Sequence, residues 1–212
     1  MATQLEFLVD ELDGDLASRK REISDLRQLT TQASGARQDL LARSCQVMTY
    51  AHWEGFTKFA LGRYLEFICS RQLPVGSLKP GLQALALRGR VHGIDRERRD
   101  VSEMIGLISH FDARSTDIFS VDSSRLLRFG NLDTSGLSSV LSCLGLAYKS
   151  VYATRQNFID EVLCGRRHRI AHGEWQPIQI HEAIQVTHDT LMLCDELNTQ
   201  IQEAAVYELY KI

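Results

Sequence analysis

Gly165-Arg166-Arg167-His168-Arg169-Ile170-Ala171-His172-Gly173-Glu174 crowds three arginines, which can hold an anion, together with two histidines, which can move a proton. An arginine presents a planar fork of donors that fits a phosphate, and a histidine titrates near neutrality. Arg167 is read as the clamp and His172 as the proton handler. On an unbroken α-helix, five residues at about 100° each would turn His172 about 140° away from Arg167, so the pair works best where the helix stops. Gly173 supplies the stop, because glycine takes the left-handed conformation that ends helices, and Pro177 prevents regrowth. His172 is expected on the last turn or the first loop residue.

Working outward from this stretch, apolar residues recur at helical spacing. Phe158, Ile159, Val162 and Leu163 mark a helix from about Ala153 to Ile170, and Ile184, Leu191, Leu193, Leu197 and Ile201 mark a last helix over roughly His181 to Tyr210. Upstream, Leu5, Leu8, Leu12, Leu16, Ile23, Leu26 and Leu29 predict a first helix within Thr3 to Gln32, bent or broken at Asp13-Gly14-Asp15. A long central helix follows from Arg37 to about Arg71, then a Pro/Gly loop over Leu73 to Gly81 and one or two turns over Leu82 to Leu87. Asp95 is placed as the cap of a helix to about His110, Asp112 to Asp133 reads as irregular, and Asp133-Thr134-Ser135 opens a further helix. Periodicity of this kind with almost no alternation predicts an all-α bundle with a long central helix, short extra helices and one domain over residues 1–212.

Composition narrows the function. Lys plus Arg is 24 against 27 Asp plus Glu, for a formal net charge of -3, which argues against coating nucleic acid by bulk positive charge. Any RNA contact must be local. The 5 cysteines, Cys45, Cys69, Cys143, Cys164 and Cys194, form no Cys-x-x-Cys pair, as expected of reduced core thiols. Without a signal peptide or a run of roughly 18 apolar residues, a cytoplasmic protein off the membrane is expected.

Arg167-His168-x-Ile170-Ala171-His172-Gly173-Glu174 resembles the Arg-polar-x-Ile-Ala-His-Gly signature of the HEPN superfamily, and Tyr50-Ala51-His52-Trp53-Glu54-Gly55-Phe56-x-Lys58 resembles the helix-two signature of its MAE-like branch. Asparagine commonly follows the arginine in that superfamily; His168 stands there in this chain. The resemblance implies a HEPN-type helical bundle, a homodimer that brings two motifs to one cleft, and an endoribonuclease of the toxin or phage-defence kind. Arg167 and His172 then carry catalysis, His168 and Glu54 support them, and Arg166 and Arg169 contact RNA phosphates. A cognate antitoxin is a possible partner. The alternative is a catalytically silent HEPN module that binds a nucleotide or a partner protein.

Plainer readings stand beside these. Arginines near a helix C-terminus also complement its dipole, Glu54 and Lys58 are spaced for an i,i+4 pair, and the run Arg88, Arg90, Arg96, Arg98, Arg99 is balanced by Asp95, Glu97 and Asp100 as a solvated face. His168 and His172 are also spaced to share a metal on a helix. The zinc-protease string, however, needs a glutamate where Arg169 stands, so neither a metal nor a cofactor is assigned. None is needed for cleaving RNA, whose 2′-hydroxyl is its own nucleophile. A base for that proton, a cation for the phosphorane and an acid for the leaving oxygen suffice.

Overall fold

The computed structural model describes the backbone of residues 3–91, 105, 108–109, 111–113, 115–122 and 131–212, and the side chains of the same residues apart from 87–91. The arginine run at Arg88 to Arg99, most of the helix expected from Asp95 to His110, and the Leu126-Leu127 run therefore lie outside the described side chains. Helix α1 spans Gln4–Gln32, α2 Gly35–Ser70, α3 Pro80–Val91, α4 Thr134–Cys143, α5 Ser150–Ala153, α6 Arg166–Ala171 and α7 Ile180–Val206. A 3-10 turn occupies Val75–Ser77, and a π-helical segment, Phe158–Gly165, runs directly into α6. Among the described residues no strand forms; Pro74 with Ile118 and Leu78 with Lys211 make isolated bridges only.

The fold is all-α and is organised around α2. Its 36 residues reach roughly 54 Å at 1.5 Å per residue. Trp53, Phe56, Ala60, Leu61, Leu65 and Ile68 on α2 are fully buried against Leu8, Leu12 and Leu16 of α1 and Leu193, Leu197 and Ile201 of α7. Each leucine, isoleucine and phenylalanine among them contributes about 1.5–3 kcal/mol by leaving water. A smaller cluster of Ala42, Cys45, Ile178 and Ala183, with Ile170 packed on it, pins the start of α2 to the chain on both sides of His172. The cysteines are all free thiols.

Two expected boundaries differ for physical reasons. Helix α1 is continuous through Asp13-Gly14-Asp15. Aspartate breaks helices by bonding nearby backbone, but Asp13 instead accepts from Asn198 and Gln202 of α7, and Asp15 accepts from Arg19 one turn on. The helix expected from Ala153 to Ile170 is in fact α5, a turn, the π segment and α6. Gln200 of α7 secures this region by accepting from the Tyr152 hydroxyl at 2.9 Å and donating to Ala147 O at 2.6 Å.

Candidate active site

The π segment sets the approach to the Arg-His turn. Its wider winding is seen where Arg166 N–H reaches back five residues to Glu161 O. Gln46 of α2 donates to Val162 O at 2.8 Å, fixing the segment against the central helix. Asp160 on the same segment accepts from Thr134 N at 2.8 Å and Thr134 Oγ1 at 2.7 Å. With Asp133 accepting from Gly136 N at 2.8 Å, the N-terminus of α4 and the loop before it are thus bound to the site.

Helix α6 then stops after one and a half turns. Gly173 has φ +82, its N–H bonds Ile170 O at 3.0 Å, and Glu174 N–H bonds Arg169 O at 3.0 Å. That pair of reversed bonds is a Schellman stop, and His172 is its C-cap. The histidine side chain is exposed there, with its ring centroid 4.3 Å from that of His168, also exposed. Each turn therefore holds two adjacent imidazoles.

Arg167 points the other way, into a half-buried cradle. Its guanidinium lies 3.9 Å over the Tyr50 ring of α2, and Nη2 donates to Asn131 Oδ1 at 2.7 Å. Nε is buried without a hydrogen-bond partner among the described residues. The cradle is itself clamped. Leu132, next to Asn131, donates its N–H to the Tyr50 hydroxyl at 3.0 Å, while its carbonyl accepts from Trp53 Nε1 at 3.4 Å and Cys164 Sγ at 3.3 Å. Burial, with the Glu54 carboxylate adding to it, raises Tyr50 to about 12, so the ring stays neutral beneath the guanidinium. Burial and the Asp133 carboxylate push Cys164 up to about 12, which keeps it a thiol rather than a nucleophilic thiolate.

The other expected residues are placed as follows. Arg166 pairs with Glu182 at 3.1 Å, and Glu182 also accepts from Gln179 N at 3.0 Å in the capping box that starts α7. Glu54 pairs with Lys58 one turn on, and among the described residues it makes no ion pair with Arg167. Arg169 is half-buried on the final turn. His52 is turned away from the site, buried against α1, with Nε2 3.6 Å from Glu22. Gly55 faces α1 as well: a Cβ there would lie 2.7 Å from Arg19 Nη1. The His-Trp-Glu-Gly segment thus docks α1 with His52 and Gly55 and holds the Asn131 loop with Trp53.

Sequence reasoning missed Tyr50 and Asn131. Tyr50 carried a signal, since it heads the same segment one turn before Glu54. Asn131 carried none, because it lies in the stretch read as irregular and meets Arg167 36 residues away.

Among the described residues, no group of three or more His, Cys, Asp and Glu side chains is arranged to hold a metal ion, and no helix is long and apolar enough to cross a membrane. No curated protein and no solved structure matches the chain. The model of the MAE_28990-like HEPN family matches residues 8–210, nearly the whole sequence and both signature segments, and the chain belongs to that family.

Proposed function

We propose that the protein is a metal-independent endoribonuclease of the toxin or phage-defence type, acting as a homodimer. The observation that carries this reading is the division of labour at one turn. Arg167 is oriented by Asn131 and Tyr50, and His172 is exposed on the cap beside His168.

The guanidinium takes the scissile phosphate and strengthens its hold as charge accumulates on the phosphorane. His172 removes the proton from the 2′-hydroxyl. The 2′-oxygen bonds to phosphorus as the bond from phosphorus to the 5′-oxygen breaks, and the departing 5′-oxygen takes a proton from a second imidazole. In a two-fold dimer the second copy's turn supplies that imidazole, while His168 stands beside His172 in support. A two-fold dimer adds a second turn across the RNA backbone and doubles the cations around it. Arg169 contacts flanking phosphate, whereas Arg166 and Glu54, each already ion-paired, act on the site through its supports.

The test is cleavage of RNA by pure protein in EDTA, compared with His172→Ala and Arg167→Ala. General acid-base catalysis contributes about 10²–10⁴-fold, so His172→Ala should lose at least that much in kcat. Intact RNA with wild type, or equal cleavage by both variants, rejects the proposal.

A further inference from the structure

Three residues after His172, Trp175 stands 65% exposed, although a large aromatic ring normally finds cover. The Arg43 guanidinium of α2 lies 4.0 Å over its ring. With one face against arginine and the residue still two-thirds exposed, the rest of the indole is open to solvent. The ring borders a groove of about 460 Å³ between the start of α2 and the Schellman turn, lined by Leu40, Val47, Met48, Ile170, Glu174 and Trp175. That size lies within the roughly 300–1,000 Å³ of ligand sites. The lining is mostly apolar and includes one cation, Arg43, and one carboxylate, Glu174.

We propose that Trp175 and the Leu40–Met48 face of α2 form a nucleobase subsite, which stacks one unpaired base of single-stranded RNA beside the turn that ends α6. The inference rests on the reading of the chain as an RNA-cleaving protein. Three features favour a base as the occupant. The indole face and aliphatic floor match a flat, weakly polar ring. Arg43 already stacks on the indole, and its cation accompanies a base with its phosphate. Glu174 in the lining repels phosphate from the groove, leaving the base as the part of a nucleotide that fits. Because the chain has net charge -3, stacking also supplies affinity that bulk charge does not. Bases in a duplex are stacked on one another and offer no free face, so the subsite selects single strands.

The experiment uses a 2′-O-methylated RNA oligonucleotide, which keeps bases and phosphates but has no nucleophile. The chain's other tryptophan, Trp53, is fully buried, so exposed indole emission reports Trp175. In the free protein that emission should be quenched by acrylamide; adding the single strand should quench it further and shield it from acrylamide. The same strand annealed to its complement should do neither. Trp175→Ala should weaken binding roughly 5- to 150-fold, the worth of one stacked base, and Trp175→Phe should recover most of it. Because this strand has no 2′-hydroxyl to attack, the quenching is read without cleavage, which separates this subsite from the cleavage chemistry. Equal affinity for Trp175→Ala, or binding without quenching, overturns the proposal. So does a Trp175 shielded before RNA is added together with a dimer that Trp175→Ala dissociates, since the groove then belongs to a second copy of the chain.

Discussion

Asn131 Oδ1 accepts a hydrogen bond from Arg167 Nη2 at 2.7 Å, the side-chain hydrogen bond that this guanidinium makes among the described residues. The bond fixes the rotation of the guanidinium plane over Tyr50. Asn131→Ala removes one charge-assisted bond, worth about 1.5–3 kcal/mol, so kcat/KM for RNA should fall roughly 10- to 150-fold. Because Asn131 is exposed and Leu132 remains clamped, the melting temperature should change little. Wild-type kcat/KM in a folded Asn131→Ala variant would remove Asn131 from the site.

Gly173 holds His172 on the cap by adopting φ +82. Nothing lies within 4 Å of a Cβ built there, so alanine meets no neighbour and suffers only its backbone preference. The left-handed conformation costs a non-glycine residue about 1–2 kcal/mol. Gly173→Ala should lower the melting temperature by roughly 2–8 °C, and Gly173→Asn, which tolerates that conformation better, should lower it less. Cleavage should fall further than stability predicts, because continuing α6 past His172 removes the cap position on which its ring is exposed. Activity and thermal denaturation of both variants check this.

The helix stop was legible because its cause is local: glycine after His172 and proline four residues beyond are enough to end α6 where it ends. The bundle was legible for a similar reason, since the apolar period of α2 and α7 is written in consecutive residues. The continuity of α1 was not, because Asp13 is neutralised as a breaker by Asn198 and Gln202, 185 and 189 residues away. Nor was the π segment, whose winding depends on Gln46 and Thr134 taking up Val162 O and the Asp160 carboxylate. The cradle of Arg167 belongs to the same class. Its residues come from α2 and the 131–133 loop, and only packing brings them together.

Arg166 and Arg169 are near neighbours on one helix, yet they should respond differently to mutation. Arg166 is tied to Glu182, whose carboxylate is held below the ordinary range first by the Gln179 N–H and then by Arg166. Arg166→Ala should therefore loosen the start of α7, at a cost of about 1 kcal/mol or less for a part-exposed pair. Arg169→Ala should leave stability alone and weaken RNA binding. Removing a phosphate contact lowers the salt slope for single strands by about 0.7. Affinity against salt concentration should show that drop for Arg169→Ala and an unchanged slope for Arg166→Ala.

Two glycines make opposite predictions about close packing. At Gly81 a Cβ would lie 2.2 Å from Ser142 O and 2.7 Å from Cys143 O, both backbone atoms at the end of α4. Gly81→Ala must push α3 off α4 and should cost about 1–3 kcal/mol, the usual range for overpacking. At Gly55 the Cβ meets the far end of the Arg19 side chain, which can swing aside by giving up its bonds to Asp15. Gly55→Ala should therefore cost less than Gly81→Ala, although Gly55 belongs to the recognisable signature and Gly81 does not. Urea denaturation of both variants decides the order, and a larger loss for Gly55→Ala would contradict the packing seen here.

His52 makes stability depend on pH. It is buried between α2 and α1, facing Glu22, Asp15 and Arg19, and its pKa is lowered from the ordinary histidine value, first by burial. Glu22 and Asp15 oppose that shift, while Arg19 reinforces it. The folded protein thus binds fewer protons at His52 than the unfolded chain does. Its contribution to stability is complete above the unfolded pKa of about 6.5 and is lost as pH falls below that value, until the folded pKa is passed. The limiting slope for one proton is about 1.4 kcal/mol per pH unit. Glu22→Gln removes the carboxylate that eases protonation and should steepen the loss, whereas His52→Gln, uncharged throughout, should flatten it. Urea midpoints of the three proteins between pH 5 and pH 7, roughly the window histidine governs, test the assignment. Parallel profiles for wild type and His52→Gln would place the proton elsewhere.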